Sequence, residues 1–192
     1  MLKQISTTVV LTLLLIVNNN LLAQNQAEMD PGFRFLPVIE ENFDLGLTLL
    51  LKTGVVNLSN LSSGTHFLVG AEVAFNCLMF KPADGSIRAQ FSYNRYKNGD
   101  FTIHTIELNP YYMFDVTERL SIGGGPGIGY IIPGDDLDNA WSLQSGLGAS
   151  YNFGLITLGV EARYQWQTSD IDKLGSKDLD NFRTNLKIGI NL

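Results

Sequence analysis

One cysteine, two histidines and 13 basic residues are what a chain of 192 residues offers to several common chemistries. Cys77 alone permits no internal disulfide and no cysteine-cluster zinc site. Lys and Arg number 13 against 19 Asp and Glu, for a formal charge of −6. A broad basic face able to neutralise phosphates is therefore excluded, and nucleic acid is not an expected partner. Charged residues make up only 17% and hydrophobic ones 45%, too apolar a balance for a disordered chain. The 19 glycines follow no three-residue period, which excludes a collagen-like helix. No apolar run reaches the ~20 residues that a membrane-spanning helix needs. GGGPGIG, from Gly123 to Gly129, lacks the GK[ST] ending of a phosphate-binding loop. DIDKLG, from Asp170 to Gly175, lacks the third oxygen ligand of a calcium loop, and no Glu stands at its twelfth position. No metal and no cofactor are expected.

What is present begins with an address. Lys3 supplies a positive start, Thr8 to Val17 an apolar stretch of 10 residues, and Ala23 a small residue before Gln24. That layout is a secretory signal peptide, expected over residues 1–23. Residues 24–42 read as a periplasmic lead, with Phe33 to Ile39 either part of it or a short extension of the first strand.

From Phe43 to Leu192 the dominant period is two, the period of a strand with unlike faces. Phe43, Leu45, Leu47, Leu49 and Leu51 share one face, opposite Asp44, Gly46, Thr48, Leu50 and Lys52. Seven further segments begin near Phe67, Ile87, Thr105, Leu120, Trp141, Ile156 and Phe182. Each runs about ten residues, the length of a tilted strand that crosses a bilayer. The connections alternate. Lys81–Gly85, Asp115–Arg119 and Asn152–Gly154 are short; Gly54–Thr65, Pro133–Asn139 and Thr168–Asp180 are longer and more polar, with Lys97–Asp100 the short exception. Short turns at one end and long loops at the other are expected of an outer-membrane barrel.

Alternation alone does not say which face is inside. A soluble lipocalin-like carrier is also an eight-stranded barrel, apolar within. Three features point to the opposite arrangement. The polar face carries Asp44, Glu72, Glu107 and Glu161 against Lys52, Arg88, Arg163, Arg183 and Lys187, nearly the balance that a closed interior requires. Aromatic residues of the apolar face gather near segment ends, as in the belts of membrane barrels. The polar face of the fifth and sixth segments is mostly Gly and Ser, which leaves room for long charged side chains from the far wall. The expected fold is all-β, an eight-stranded antiparallel up-and-down transmembrane barrel over residues 43–192.

PYYMFDVTERLSIGGGPGIGY (Pro110 to Tyr130) and NFRTNLKIGINL (Asn181 to Leu192) resemble the small outer-membrane barrels of the outer-membrane protein A transmembrane-domain and outer-membrane protein X type. The resemblance covers Phe43 to Leu192. It implies the outer membrane of a Gram-negative-type bacterium, outer-membrane lipid and lipopolysaccharide as surroundings, and delivery by the barrel-assembly machinery. Such barrels commonly end on an aromatic residue, whereas this chain ends on Leu192.

Some barrels of this size modify lipid A, so Ser62, Ser63, His66, Asp100 and His104 deserve scrutiny as a hydrolytic set. The two histidines fall on opposite faces, and an acyl chain would meet a charged interior, so no catalytic residue is assigned. Arg95, Lys97 and His104 are expected at the outer rim, facing lipopolysaccharide phosphates. Eight strands leave an interior just wide enough for side chains, so no large pore is expected. The expected role is a non-enzymatic structural or surface-interaction protein, with its surface ligand unspecified. The competing readings are a soluble periplasmic carrier and a lipid A-modifying enzyme.

Overall fold

The computed structural model describes residues 32–58, 64–98, 101–134, 138–168 and 179–192. The expected signal peptide lies outside them, as do Ser62, Ser63, Asp100 and most of the acidic loop residues. Eight strands close into one antiparallel barrel: β2 (Thr48–Leu58), β3 (Thr65–Asn76), β5 (Ser86–Asn98), β6 (Phe101–Asp115), β7 (Leu120–Pro133), β8 (Ala140–Asn152), β9 (Ile156–Gln167) and β10 (Asn181–Asn191). Each pairs with its neighbour in sequence, and β10 closes on β2 over Asn181↔Leu58 to Asn191↔Thr48. Two short strands, β1 (Arg34–Phe35) and β4 (Phe80–Lys81), pair outside the barrel at its turn end.

The strands form because period-two sequences can satisfy both surfaces of a pleated wall. Buried and exposed residues alternate along β2 and β10 almost without exception. The buried set is largely polar and the exposed set apolar. Lys52, Glu72, Asn94, Glu107, Gln144, Arg163 and Arg183 are enclosed, while Leu51, Phe67, Leu143, Leu147, Leu186 and Ile188 face outward. This inverts the soluble carrier and overturns that reading. An apolar band around a closed barrel with a polar interior is stable in lipid, where closure leaves no unpaired strand edge. Among the described residues no helix is long and apolar enough to cross a membrane; the strands do the crossing.

Outward-facing aromatic pairs in tilted or edge-on contact mark both rims. Tyr130–Trp141 and Tyr164–Trp166 lie toward the loop end, with ring centroids 5.0 and 4.7 Å apart. Tyr112–Phe114 and Tyr151–Phe153 lie toward the turn end, at 4.5 and 4.6 Å.

Two strand ends differ from the sequence expectation, each because of a glycine. The first barrel strand starts at Thr48 rather than Phe43. Gly46 holds a left-handed φ of 55°, and its N–H donates to Asp44 Oδ1 at 2.9 Å, so the extended run breaks there. The same strand then passes through Gly54, where a loop was expected, and continues to Leu58. Gly54 faces inward; a Cβ there would run into the Thr184 carbonyl and Asn185 of β10. This glycine permits close approach between strands and does not mark a turn.

Candidate functional site: the barrel interior and outer rim

The interior has three levels, set by which inward residue each strand supplies at each height. Toward the loop end Val56, Leu58, Leu68, Tyr96, Ile103, Ile131, Ala140 and Leu179 form a buried apolar plug. Below it lies the charged level. Toward the turn end a cavity of about 650 Å³ opens, reaching inward to Glu72, Glu161, Lys187 and Tyr111.

The charged level is organised around three carboxylates. Lys187 Nζ donates to both oxygens of Glu72, at 2.9 and 2.8 Å, and to Glu161 Oε2 at 2.8 Å. Lys52 Nζ stands 3.1 Å from Glu72 and 3.6 Å from Glu161, held by charge proximity without hydrogen-bond angles. Arg163 is 3.3 Å from Glu161 Oε2 and also donates to Asn109 Oδ1 at 2.7 Å and the Tyr111 hydroxyl at 2.5 Å. Its guanidinium lies over the Tyr111 ring, 5.0 Å from the centroid. The third carboxylate, Glu107, is 2.6 Å from Arg183 and accepts from Thr105 at 2.8 Å and Ser92 at 3.3 Å. Gln144 Oε1 accepts from Arg163 and Arg183, at 3.3 and 2.9 Å, and joins the two groups.

The structure thus brings together Lys52, Glu72, Glu107, Glu161, Arg163, Arg183 and Lys187 of the nine charged residues expected inside. Arg88 sits at the periplasmic mouth and donates to the Gly46 carbonyl at 2.9 Å and Thr48 Oγ1 at 3.0 Å, tying β5 to the entry of β2. Asp44 is corrected. It is exposed, ahead of the first barrel strand, where the Gly46 turn removes it from the lumen. The enclosed level therefore holds three acids and four bases, and polar neutral groups complete it. Sequence reasoning did not single out Asn109, Tyr111 and Gln144 as its members. Their only signal was their position on the inward phase, Asn109 and Tyr111 on β6 and Gln144 on β8 beside Gly146.

The inward-facing glycines of β7 and β8 create space. A Cβ on Gly127 would meet Asn109 Oδ1 and lie 3.0 Å from Arg163 Nη1; one on Gly146 would meet the Tyr111 hydroxyl and lie 3.2 Å from Arg163 Cζ. The absence of two side chains leaves Arg163 and Tyr111 room to cross the lumen.

At the outer rim Arg95 and His104 are cross-strand partners, and Lys97 lies two residues further along β5. Arg95 and Lys97 are exposed on the outward face, and His104 is half-buried. The Tyr93 hydroxyl and His104 Nδ1 are 2.5 Å apart. His66, by contrast, lies on the inward phase of β3. The two histidines do not share a face, and no cluster of metal-ligating residues occurs among the described residues.

A closed eight-stranded antiparallel barrel with an apolar exterior and a charged, plugged interior defines a small transmembrane barrel of the bacterial outer membrane. Solved structures agree on the fold. The chain is similar to Neisserial surface protein A, with a TM-score of 0.57 at 16% identity, over 76% of this chain and 96% of that one. It is similar also to Ail, the attachment invasion locus protein of Yersinia pestis, crystallised with the heparin analogue sucrose octasulfate: TM-score 0.50, 14% identity, 77% of this chain and 97% of that one. The N-terminal barrel domain of Pseudomonas aeruginosa OprF follows at 0.49 and 14%, over 76% and 97%. No protein-family model and no curated protein matches the sequence.

Proposed function

We propose that the barrel is a non-enzymatic, non-conducting anchor that displays its outer loops and rim for contact with lipid and surface ligands. The observation that supports this most strongly is the filled lumen. The apolar plug of Val56, Leu68, Ile103 and Ile131 stands above a level crossed by Arg163 and Arg183, with Lys187 paired along the wall. A solute entering the turn-end cavity meets buried ion pairs and then a dry plug, and either obstacle is costly to displace. Reconstituted in planar bilayers, the protein is expected to give no stable conductance steps of porin size; regular steps of that size would refute the closed reading. Catalysis is not assigned, because the two histidines stand on opposite faces of the wall.

The rim carries a second, compatible role. Arg95, Lys97 and His104 form an outward strip at the height where lipopolysaccharide phosphates lie, and guanidinium and ammonium groups bind phosphate by charge-assisted hydrogen bonds. Replacing all three by Gln, Gln and Ala should weaken lipopolysaccharide retention about tenfold, or ~1.4 kcal/mol. Co-purified lipopolysaccharide per barrel is the measurement, and unchanged retention refutes the contact. Strand β10 closes the barrel on β2, and Leu192 N–H donates to the Leu47 carbonyl at 2.9 Å at the turn end of that seam.

A further inference from the structure

The periplasmic end carries a built feature that neither the barrel nor the rim explains. β1 and β4 pair with Arg34 opposite Lys81 and Phe35 opposite Phe80. Because successive side chains in a strand point to opposite faces, this places two cations on one side of the ribbon and two aromatic rings on the other. Leu36 N–H extends the ladder to the Met79 carbonyl at 2.8 Å. Phe33 adds a third ring, its centroid 5.2 Å from that of Phe35, which in turn is 5.4 Å from Phe80.

The segment is held in shape. Leu36 adopts a left-handed φ of 49°, which a non-glycine residue adopts only at a cost, and turns the chain into a 3-10 turn over Pro37–Ile39. Pro37 is buried beneath it, and an Arg34–Glu40 ion pair at 2.6 Å closes the piece on itself. Yet its apolar side chains are open: Phe35 is 69% exposed and Ile39 80%.

Its surroundings identify what covers them. The outward row of β3, with Val73 and Phe75, ends at Asn76, and a bend over Leu78 and Met79, both exposed, leads from it into β4. Cys77 N–H donates to the Ile87 carbonyl at 2.7 Å, and the Tyr112 hydroxyl, on the turn-end aromatic belt, donates to the Asp84 carbonyl at 2.6 Å. The ribbon therefore sits beside the turn-end aromatic belt, where exposed Met79 and Phe35 extend the apolar surface of Phe114 toward the height at which acyl chains give way to headgroups. Aromatic rings with adjacent cations are the composition of an interfacial anchor.

We propose that Phe33–Ile39 and Leu78–Lys81 form an interfacial foot in the periplasmic leaflet of the outer membrane. Phe33, Phe35 and Phe80 lie at the acyl boundary, and Lys81, with the Arg34–Glu40 pair beside it, faces the phospholipid headgroups. The foot fixes the depth and rotation of the barrel from the periplasmic side, as the rim aromatics do from outside.

The test uses the full-length chain in nanodiscs of phosphatidylethanolamine and phosphatidylglycerol, where both membrane faces are open to solvent. Trp141 and Trp166 are replaced by Phe, and Phe35→Trp supplies the single reporter; Phe33→Trp in the same background is the second. Barrel closure is verified by unboiled gel mobility. Lipids brominated in the upper acyl chain should quench the reporter several-fold, and aqueous iodide should barely do so. Quenching by iodide and not by bromolipid places the ring in water and overturns the proposal. Protection from both means that protein covers it, a second copy or the barrel itself, and overturns it equally.

Discussion

Glu161→Gln should destabilise the barrel by about 3–5 kcal/mol, the cost of leaving enclosed cations without their carboxylate. Glu161 is approached by Lys187 at 2.8 Å, Arg163 at 3.3 Å and Lys52 at 3.6 Å. After the substitution only Glu72 remains beside the two lysines, and the remaining hydrogen-bond partners of Arg163 (Asn109, Gln144 and Tyr111) are neutral. Amide dipoles cannot replace a full charge where the side chains are almost completely removed from water. Urea unfolding in lipid vesicles is the measurement, and Trp141, which lies 58% exposed on the outward face, reports loss of the lipid environment. Adding Lys187→Met should return about 1–3 kcal/mol, because it removes one of the stranded cations and leaves Glu72 to Lys52. A single variant within ~1 kcal/mol of the parent would mean that the turn-end cavity hydrates the network well enough to screen it. The charge pairs would then have little part in holding the barrel shut.

The fold was legible because a membrane barrel imposes the same rule on every strand. Leu51 outward and Lys52 inward, or Leu186 outward and Lys187 inward, follow from period two alone once the polar face is placed inside. Legibility fell wherever that contrast fades. Val56, Leu58, Leu68, Ile103 and Ile131 occupy the inward phase yet are apolar. Near the loop end both faces of the wall are therefore hydrophobic, and alternation carries no sign of a plug. Glycine was ambiguous for a related reason. Gly46 breaks a strand through its dihedral, while Gly54 sits inside one to admit β10, and composition does not distinguish the two.

The charge-bearing residues were legible as a set and not as pairs. Lys187 of β10 meets Glu72 of β3 over the intervening β2, at a sequence separation of 115 residues. Which acid meets which base depends on the stagger of the closed sheet, which no local pattern encodes. Asp44 was misplaced because it keeps the inward phase of β2 on paper, and only the Gly46 turn takes it out. The periplasmic ribbon was the least legible part. Arg34–Phe35 has no strand pattern of its own and exists because Phe80–Lys81 is brought alongside it.

The glycines facing Arg163 make the second large prediction. Gly146→Val should cost the barrel about 3 kcal/mol by overpacking an occupied lumen. Its new Cβ would meet the Tyr111 hydroxyl and press within 3.2 Å of Arg163 Cζ and Nη2. Tyr111 cannot swing aside freely, since its hydroxyl accepts from Arg163 and its ring lies beneath that guanidinium. Moving either one disturbs the Arg163–Glu161 pair as well. Ser145→Val, one residue earlier on the same strand, points into lipid and should change stability by less than ~0.5 kcal/mol. The decisive comparison is made in a Tyr111→Leu background, where the crossing ring is gone. There Gly146→Val should cost less than ~1 kcal/mol, because the added methyls enter space that Tyr111 had filled. An equal cost in both backgrounds would locate the clash on Arg163, which the new Cβ approaches in either. It would also remove Tyr111 from the argument that the glycine faces of β7 and β8 make room for the side chains that cross the lumen.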